Sequence, residues 1–136
     1  MRKALLLTLL LSLNGCMSGN VSASITDITE NEEFSDDFKQ AFIRVYEKGP
    51  NFNADDFVIT YPCGGGAMCG SIFDSSSQRF ISLPDDFIGA SDRQEFDAKY
   101  NVTSNRLCIW GESAYTLNVY KNVCYEYDGN ALQPIN

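Results

Sequence analysis

The chain has 136 residues, 44% of them hydrophobic and 21% charged. That length and balance describe one globular domain and exclude wholesale disorder. Ten basic residues stand against 18 acidic ones, a formal charge of −8, the sign opposite to that of a nucleic-acid binder. There is no histidine, which excludes Ser-His and Cys-His nucleophile pairs, histidine general bases and histidine-ligated metals.

Residues 1–16 read as an export signal. Arg2 and Lys3 form a charged start, and Ala4 to Leu13 an apolar stretch too short to span a bilayer as a helix. Leu13-Asn14-Gly15-Cys16 resembles the lipobox of bacterial lipoproteins, in which the cysteine becomes the lipidated first residue. Asn14 replaces the small or aliphatic residue usual at that position. Val21-Ser22-Ala23 offers a competing cleavage site for a soluble exported protein. The lipid reading is preferred because the apolar stretch runs directly into Cys16. Met17 in place of Asp implies, by the same resemblance, the periplasmic face of the outer membrane. Loss of Arg2 and Lys3 from the 10 basic residues leaves 8 against 18 acidic, a balance of −10, suited to a basic partner.

Residues 17–33 are mostly polar and are expected to form a flexible tether. One α+β domain is expected over 34–136. Ser35 to Lys48 has helical spacing, with Phe38, Ala41, Phe42, Val45 and Tyr46 on one face. Ser35 is its N-cap, Asp36 and Asp37 follow at the positive end of the dipole, and Gly49-Pro50 stops it. From residue 56 the period becomes two. Strands are expected over 57–61, 71–73, 79–83, 106–110, 115–120 and 123–127. Asp74 to Gln78 joins a hairpin, Lys121-Asn122 is a tight connection, and Asp128-Gly129 leads to an edge strand over 131–135. Ser91 and Gln94 have capping-box spacing, which predicts a short helix over 91–99. The fold class is therefore α+β, with one amphipathic helix packed on a mostly antiparallel sheet of five to seven strands.

Setting Cys16 aside leaves Cys63, Cys69, Cys108 and Cys124, an even number in an oxidising compartment. Pairing 63–69 and 108–124 is favoured over the two other connectivities. The gaps do not suit a zinc knuckle, and no Cys-x-x-Cys pair is present. Gly64-Gly65-Gly66 lacks the Gly-Lys-Ser/Thr ending of a phosphate loop and reads as a turn. The pairs Asp55-Asp56 and Asp85-Asp86 read as solvated turn acids, not as a glycosidase pair or a calcium loop. Trp110, with Tyr115, Tyr120, Tyr125 and Tyr127, is either core filling or an aromatic binding patch.

Five further pieces carry a resemblance: Gly49-Pro50-Asn51-Phe52, Cys63 to Cys69, Ile72-Phe73-Asp74, Ser104-Asn105-Arg106-Leu107 and Tyr125-Glu126-Tyr127-Asp128-Gly129. Over about residues 49–129 the chain resembles a group of small exported bacterial proteins of mostly unassigned function. The resemblance implies fold and compartment and brings no catalytic residues with it.

The expected function is non-enzymatic, without cofactor or metal. It is an envelope binding lipoprotein, an inhibitor or immunity protein acting against a basic wall-degrading enzyme. The alternative is a structural or accessory outer-membrane lipoprotein. The partner is expected to be a protein, with membrane contact through the N-terminal lipid alone and no nucleic acid. The candidate contact surfaces are the loops over 63–69 and 84–92, with Gly64, Gly65, Gly66, Asp85, Asp86 and Trp110 as candidate binding residues.

Overall fold

The computed structural model describes residues 21–136, and the side chains from residue 25 onward. The signal, the lipobox and the lipidation site Cys16 lie outside the described residues. Among those described, two helices, α1 (Val21–Glu30) and α2 (Asp36–Lys48), precede eight strands. These are β1 (Phe57–Gly64), β2 (Ala67–Asp74), β3 (Arg79–Ser82), β4 (Phe87–Ile88), β5 (Asp97–Lys99), β6 (Arg106–Glu112), β7 (Val119–Tyr127) and β8 (Leu132–Pro134). The class is α+β. The strands form two antiparallel four-stranded sheets: β1-β2-β3 with β4 on β2, and β5-β6-β7-β8. No described helix is long and apolar enough to cross a membrane.

The elements stack as helices, first sheet, second sheet. α2 starts where Ser35 accepts the Phe38 N–H at 3.2 Å and ends at Gly49, whose φ of 92° favours glycine. Its apolar stripe, Phe38, Ala41 and Phe42, packs on Phe57, Ile59 and Phe73 of the first sheet. The opposite face of that sheet supplies Val58 and Ile72 to a second core, which holds Leu107, Ile109, Tyr125 and Tyr127 of the second sheet. Burial on both faces explains the unbroken apolar run Phe57-Val58-Ile59.

The Gly-Pro-Asn-Phe segment closes the edge of β1. The Asn51 amide donates to the Val58 carbonyl at 3.1 Å and accepts the Val58 N–H at 2.7 Å, as a neighbouring strand would. Phe52 is fully buried in the core between the sheets.

Three sequence expectations need correction. Val21–Glu30 lies in the expected tether but is helical, because Ile25 and Ile28 share a face that packs beside α2. No helix forms over 91–99. The Ser91 hydroxyl does accept the N–H groups of Arg93 and Gln94. However, Phe96 stacks on buried Phe87 at 4.9 Å, and the chain continues extended as β5. Of the strand expected over 115–120, residues 115–118 are loop, and 119–120 join the strand expected over 123–127 in a single β7. Lys121-Asn122 is a bulge opposite Trp110, with Asn122 at φ 55°.

Both favoured disulfides are present. Cys63–Cys69 spans the β1–β2 hairpin, with Cα atoms 5.7 Å apart. Cys108–Cys124 joins directly opposed residues of β6 and β7.

Candidate functional site

Three loops meet at one end of the molecule. Gly65 and Gly66 turn the β1–β2 hairpin at φ 60° and 79°, the doubly positive geometry of a two-residue type I′ turn. β4 lies against the start of β2, with Ile88 opposite Ala67 and Phe87 opposite Met68. The Gly89 N–H donates to the Gly66 carbonyl at 2.8 Å. The loops over 63–69 and 84–92 are therefore joined in space. The third loop, residues 113–118, connects β6 to β7. Phe87 bridges Ser113, and the Ala114 N–H donates to the Asp86 carbonyl at 2.9 Å.

That third loop is held from inside and from its flank. The buried Ser113 hydroxyl accepts the N–H groups of Tyr115 and Thr116 at 3.2 and 3.0 Å. Leu117, at φ 61°, donates its N–H to the Ser113 carbonyl. The Arg93 guanidinium reaches the Leu117 carbonyl at 3.0 Å and the Glu112 carboxylate at 2.9 Å. Glu112 is buried, and its other oxygen accepts the Ser91 hydroxyl. The loop therefore holds a non-glycine residue at positive φ, a conformation that persists only where its surroundings enforce it.

The electrostatics of this end centre on Asp85 and Asp86. Asp86 accepts the Tyr115 hydroxyl at 2.6 Å, and Asp85 accepts the Tyr120 hydroxyl at 3.1 Å. The bond to Asp86 raises the Tyr115 phenol above its ordinary range. Burial, then the bond to Asp85, pushes Tyr120 up to about 12. Burial and the charge of Asp86 also raise Tyr61. All three rings stay neutral across physiological pH, so the charge at this end is that of the carboxylates. Beside them Tyr115 is 75% exposed and Leu117 54%. A fixed aromatic and aliphatic tip with an acidic flank matches the chemistry of a protein-contact surface.

The structure unites Gly64, Gly65, Gly66, Asp85 and Asp86 but places Trp110 elsewhere. Trp110 is half-buried on the outer face of the second sheet, opposite Asp97, with the Lys99 ammonium 4.8 Å from the ring centroid. Tyr125 and Tyr127 belong to the inter-sheet core and Tyr120 packs against it, so the five aromatics form no single patch.

Among the remaining acids, Asp56 departs from the expectation of a solvated turn. Asp55 is exposed, but Asp56 is buried and accepts from the Asn53 amide at 2.9 Å and the Ser75 N–H at 3.0 Å. Asp74, also buried, accepts from the Ser76 and Ser77 N–H groups, the Ser76 hydroxyl and the Tyr127 hydroxyl. Burial alone would raise the Asp74 carboxyl, but these donors outweigh it and bring it down to about 2. Every oxygen of the Asp56 and Asp74 carboxylates is partnered: Asp56 ties the residue 52–56 turn to the 74–78 turn, and Asp74 holds its own turn together and reaches Tyr127 of the second sheet.

Sequence reasoning missed Leu117, Arg93 and Glu112, and named Tyr115 only as one of the aromatics grouped with Trp110. Ser113 and Asn118 bracket the tip and were the available turn signal. The alternation of Tyr115, Leu117 and Val119 instead read as strand. Comparison with protein-family models, with curated proteins and with solved structures finds no match to this chain.

Proposed function

We propose that the chain is a binding protein of the bacterial envelope that inhibits, or gives immunity against, a basic enzyme that degrades the cell wall. The observation that carries this reading is the meeting of the loops over 63–69, 84–92 and 113–118. It sets Asp85 and Asp86 beside the exposed Tyr115 and Leu117. Acidic groups steer a basic partner toward the surface, and the aromatic tip supplies contact area at low entropy cost. The chain's formal charge of −8 extends the same attraction over the whole molecule.

The test is an inhibition assay on a panel of basic wall hydrolases at low and moderate salt. One hydrolase is expected to lose activity and to regain it as salt rises. Tyr115→Ala should weaken that inhibition about tenfold. Asp85→Asn with Asp86→Asn should mainly slow association and flatten the salt dependence. Undiminished activity of every hydrolase at saturating protein overturns the reading.

A further inference from the structure

The far face of the second sheet carries a site unconnected with the acidic end. A cleft of about 460 Å³ is lined by Gln94, Glu95, Phe96, Asp97, Lys99 and Trp110. Asp97 pairs with Trp110 and Lys99 with Cys108, so these four side chains share the outer face of the sheet. The bulge at Lys121-Asn122 stands opposite Trp110 and interrupts the regular ladder at that point. The helices lie beyond the first sheet, so this face points away from them.

Two features distinguish the cleft from ordinary surface. The first is an indole ring with an open face. The Lys99 ammonium rests 4.8 Å from its centroid, a place reachable only where no protein carbon covers the ring. Lys99 is itself exposed, so its head can leave at small cost. The second is the group of polar side chains around the ring. An amide (Gln94), two carboxylates (Glu95, Asp97) and an ammonium (Lys99) supply donors and acceptors at its margin. A flat aromatic surface bordered by such groups suits a pyranose ring. The axial C–H bonds of the sugar lie on the indole, while its equatorial hydroxyl and acetamido groups point outward to hydrogen-bond partners.

We propose that this cleft binds one or two sugar rings of a glycan strand, stacked on Trp110, with Lys99 acting as a displaceable occupant of the stacking face. Glu95 and Asp97 accept from sugar hydroxyls, and Gln94 pairs with an acetamido group. In an exported protein such rings come either from the peptidoglycan strand or from surface lipopolysaccharide.

Trp110 is the single tryptophan of the chain, so its emission reports on this cleft alone. The purified protein is titrated with the N-acetylglucosamine trimer, and a saturable shift in tryptophan emission is expected. Sedimentation with purified peptidoglycan sacculi, and separately with lipopolysaccharide micelles, identifies the source of the sugar. Trp110→Ala should abolish sedimentation with the binding source, while its unfolding midpoint stays near that of the parent. Lys99→Ala should bind the trimer roughly two- to five-fold more tightly, because the competing ammonium is gone. A merely structural Lys99–Trp110 pair predicts no such gain. An emission spectrum unmoved by the trimer, together with no sedimentation in either arm, overturns the proposal. Weaker binding by Lys99→Ala overturns the displacement geometry. The Tyr115 surface plays no part in these measurements, so failure here leaves the inhibition reading to its own assay.

Discussion

The two sheets have the same strand number and are used differently. The first is covered on both faces, by α2 on one side and by the second sheet on the other. Phe57, Val58 and Ile59 are buried in succession, as are Ile72 and Phe73. The second sheet buries one face. Leu107 and Ile109 point inward, while Trp110 and Lys99 stay on the outside. A strand packed on both sides has no position left to change without disturbing a core. A strand packed on one side leaves every second residue available for contact with something else. The first sheet therefore holds the molecule together, and the second sheet and the loop end face its surroundings.

The sharpest way to break that contrast is a pair of truncations. Phe42 is fully buried between α2 and the first sheet, in ring contact with Phe38, Phe73 and Phe80. Phe42→Ala should cost about 3–5 kcal/mol in urea unfolding. Trp110→Ala, the larger deletion, should cost less than about 1 kcal/mol, the scale of an exposed cation–π pair. Similar costs for the two would erase the distinction between the sheets.

The disulfides sharpen it further. Cys108 and Cys124 are 16 residues apart and pin the singly covered sheet. Replacing both by alanine should cost about 3 kcal/mol on the loop-closure account. The Cys63–Cys69 loop has a separation of only 6 and lies on a sheet already packed on both faces, so its double replacement should lower Tm less. A larger loss from the Cys63–Cys69 pair would count against this assignment of roles.

The smallest of the three effects concerns the tie between the sheets, where Tyr127 of β7 donates to Asp74 of β2. The Asp74 carboxyl stands at about 2 in the folded protein, against about 3.9 for a free aspartate. A carboxyl lowered by folding contributes stability above the unfolded value. That contribution is lost as pH falls through the folded value, so Asp74 should supply about 2 kcal/mol above pH ~4 and lose it toward pH ~2. Tyr127→Phe removes one donor and should cost about 1–3 kcal/mol at neutral pH. It should also move the acid-induced fall in Tm to higher pH. An unchanged acid limb in the variant would mean that the serine donors alone hold the carboxylate.

Features governed by local chemistry were legible in the sequence. The helix at Ser35, its stop at Gly49, the Asp74 hairpin and the disulfide pairs all follow from residues close along the chain or from cysteine parity. Period-two patterning identified strands, but it carries no information on which strands share a sheet, so the division into two sheets was not visible. Ser91 shows why the expected helix failed. Its hydroxyl makes the capping bonds, yet one long-range contact, Phe96 on Phe87, decides the path of the chain. The candidate surface was half legible. The glycine and aspartate loops stood out by composition, whereas Tyr115 and Leu117 alternate like core residues, and only the fold shows them exposed.

The side chain of Asn51 has a consequence for how these molecules behave in company. β1 lies at the margin of its sheet, where exposed amide and carbonyl groups invite a strand from another copy. Asn51 occupies both groups of Val58, and two residues beyond Thr60 the same margin meets Pro62, which has no N–H to offer. An incoming strand finds neither a free start nor a continuous ladder. A segment as β-prone as Phe57 to Tyr61 can thus fold at high local concentration without seeding aggregates, and replacing Asn51 would cost solubility along with stability.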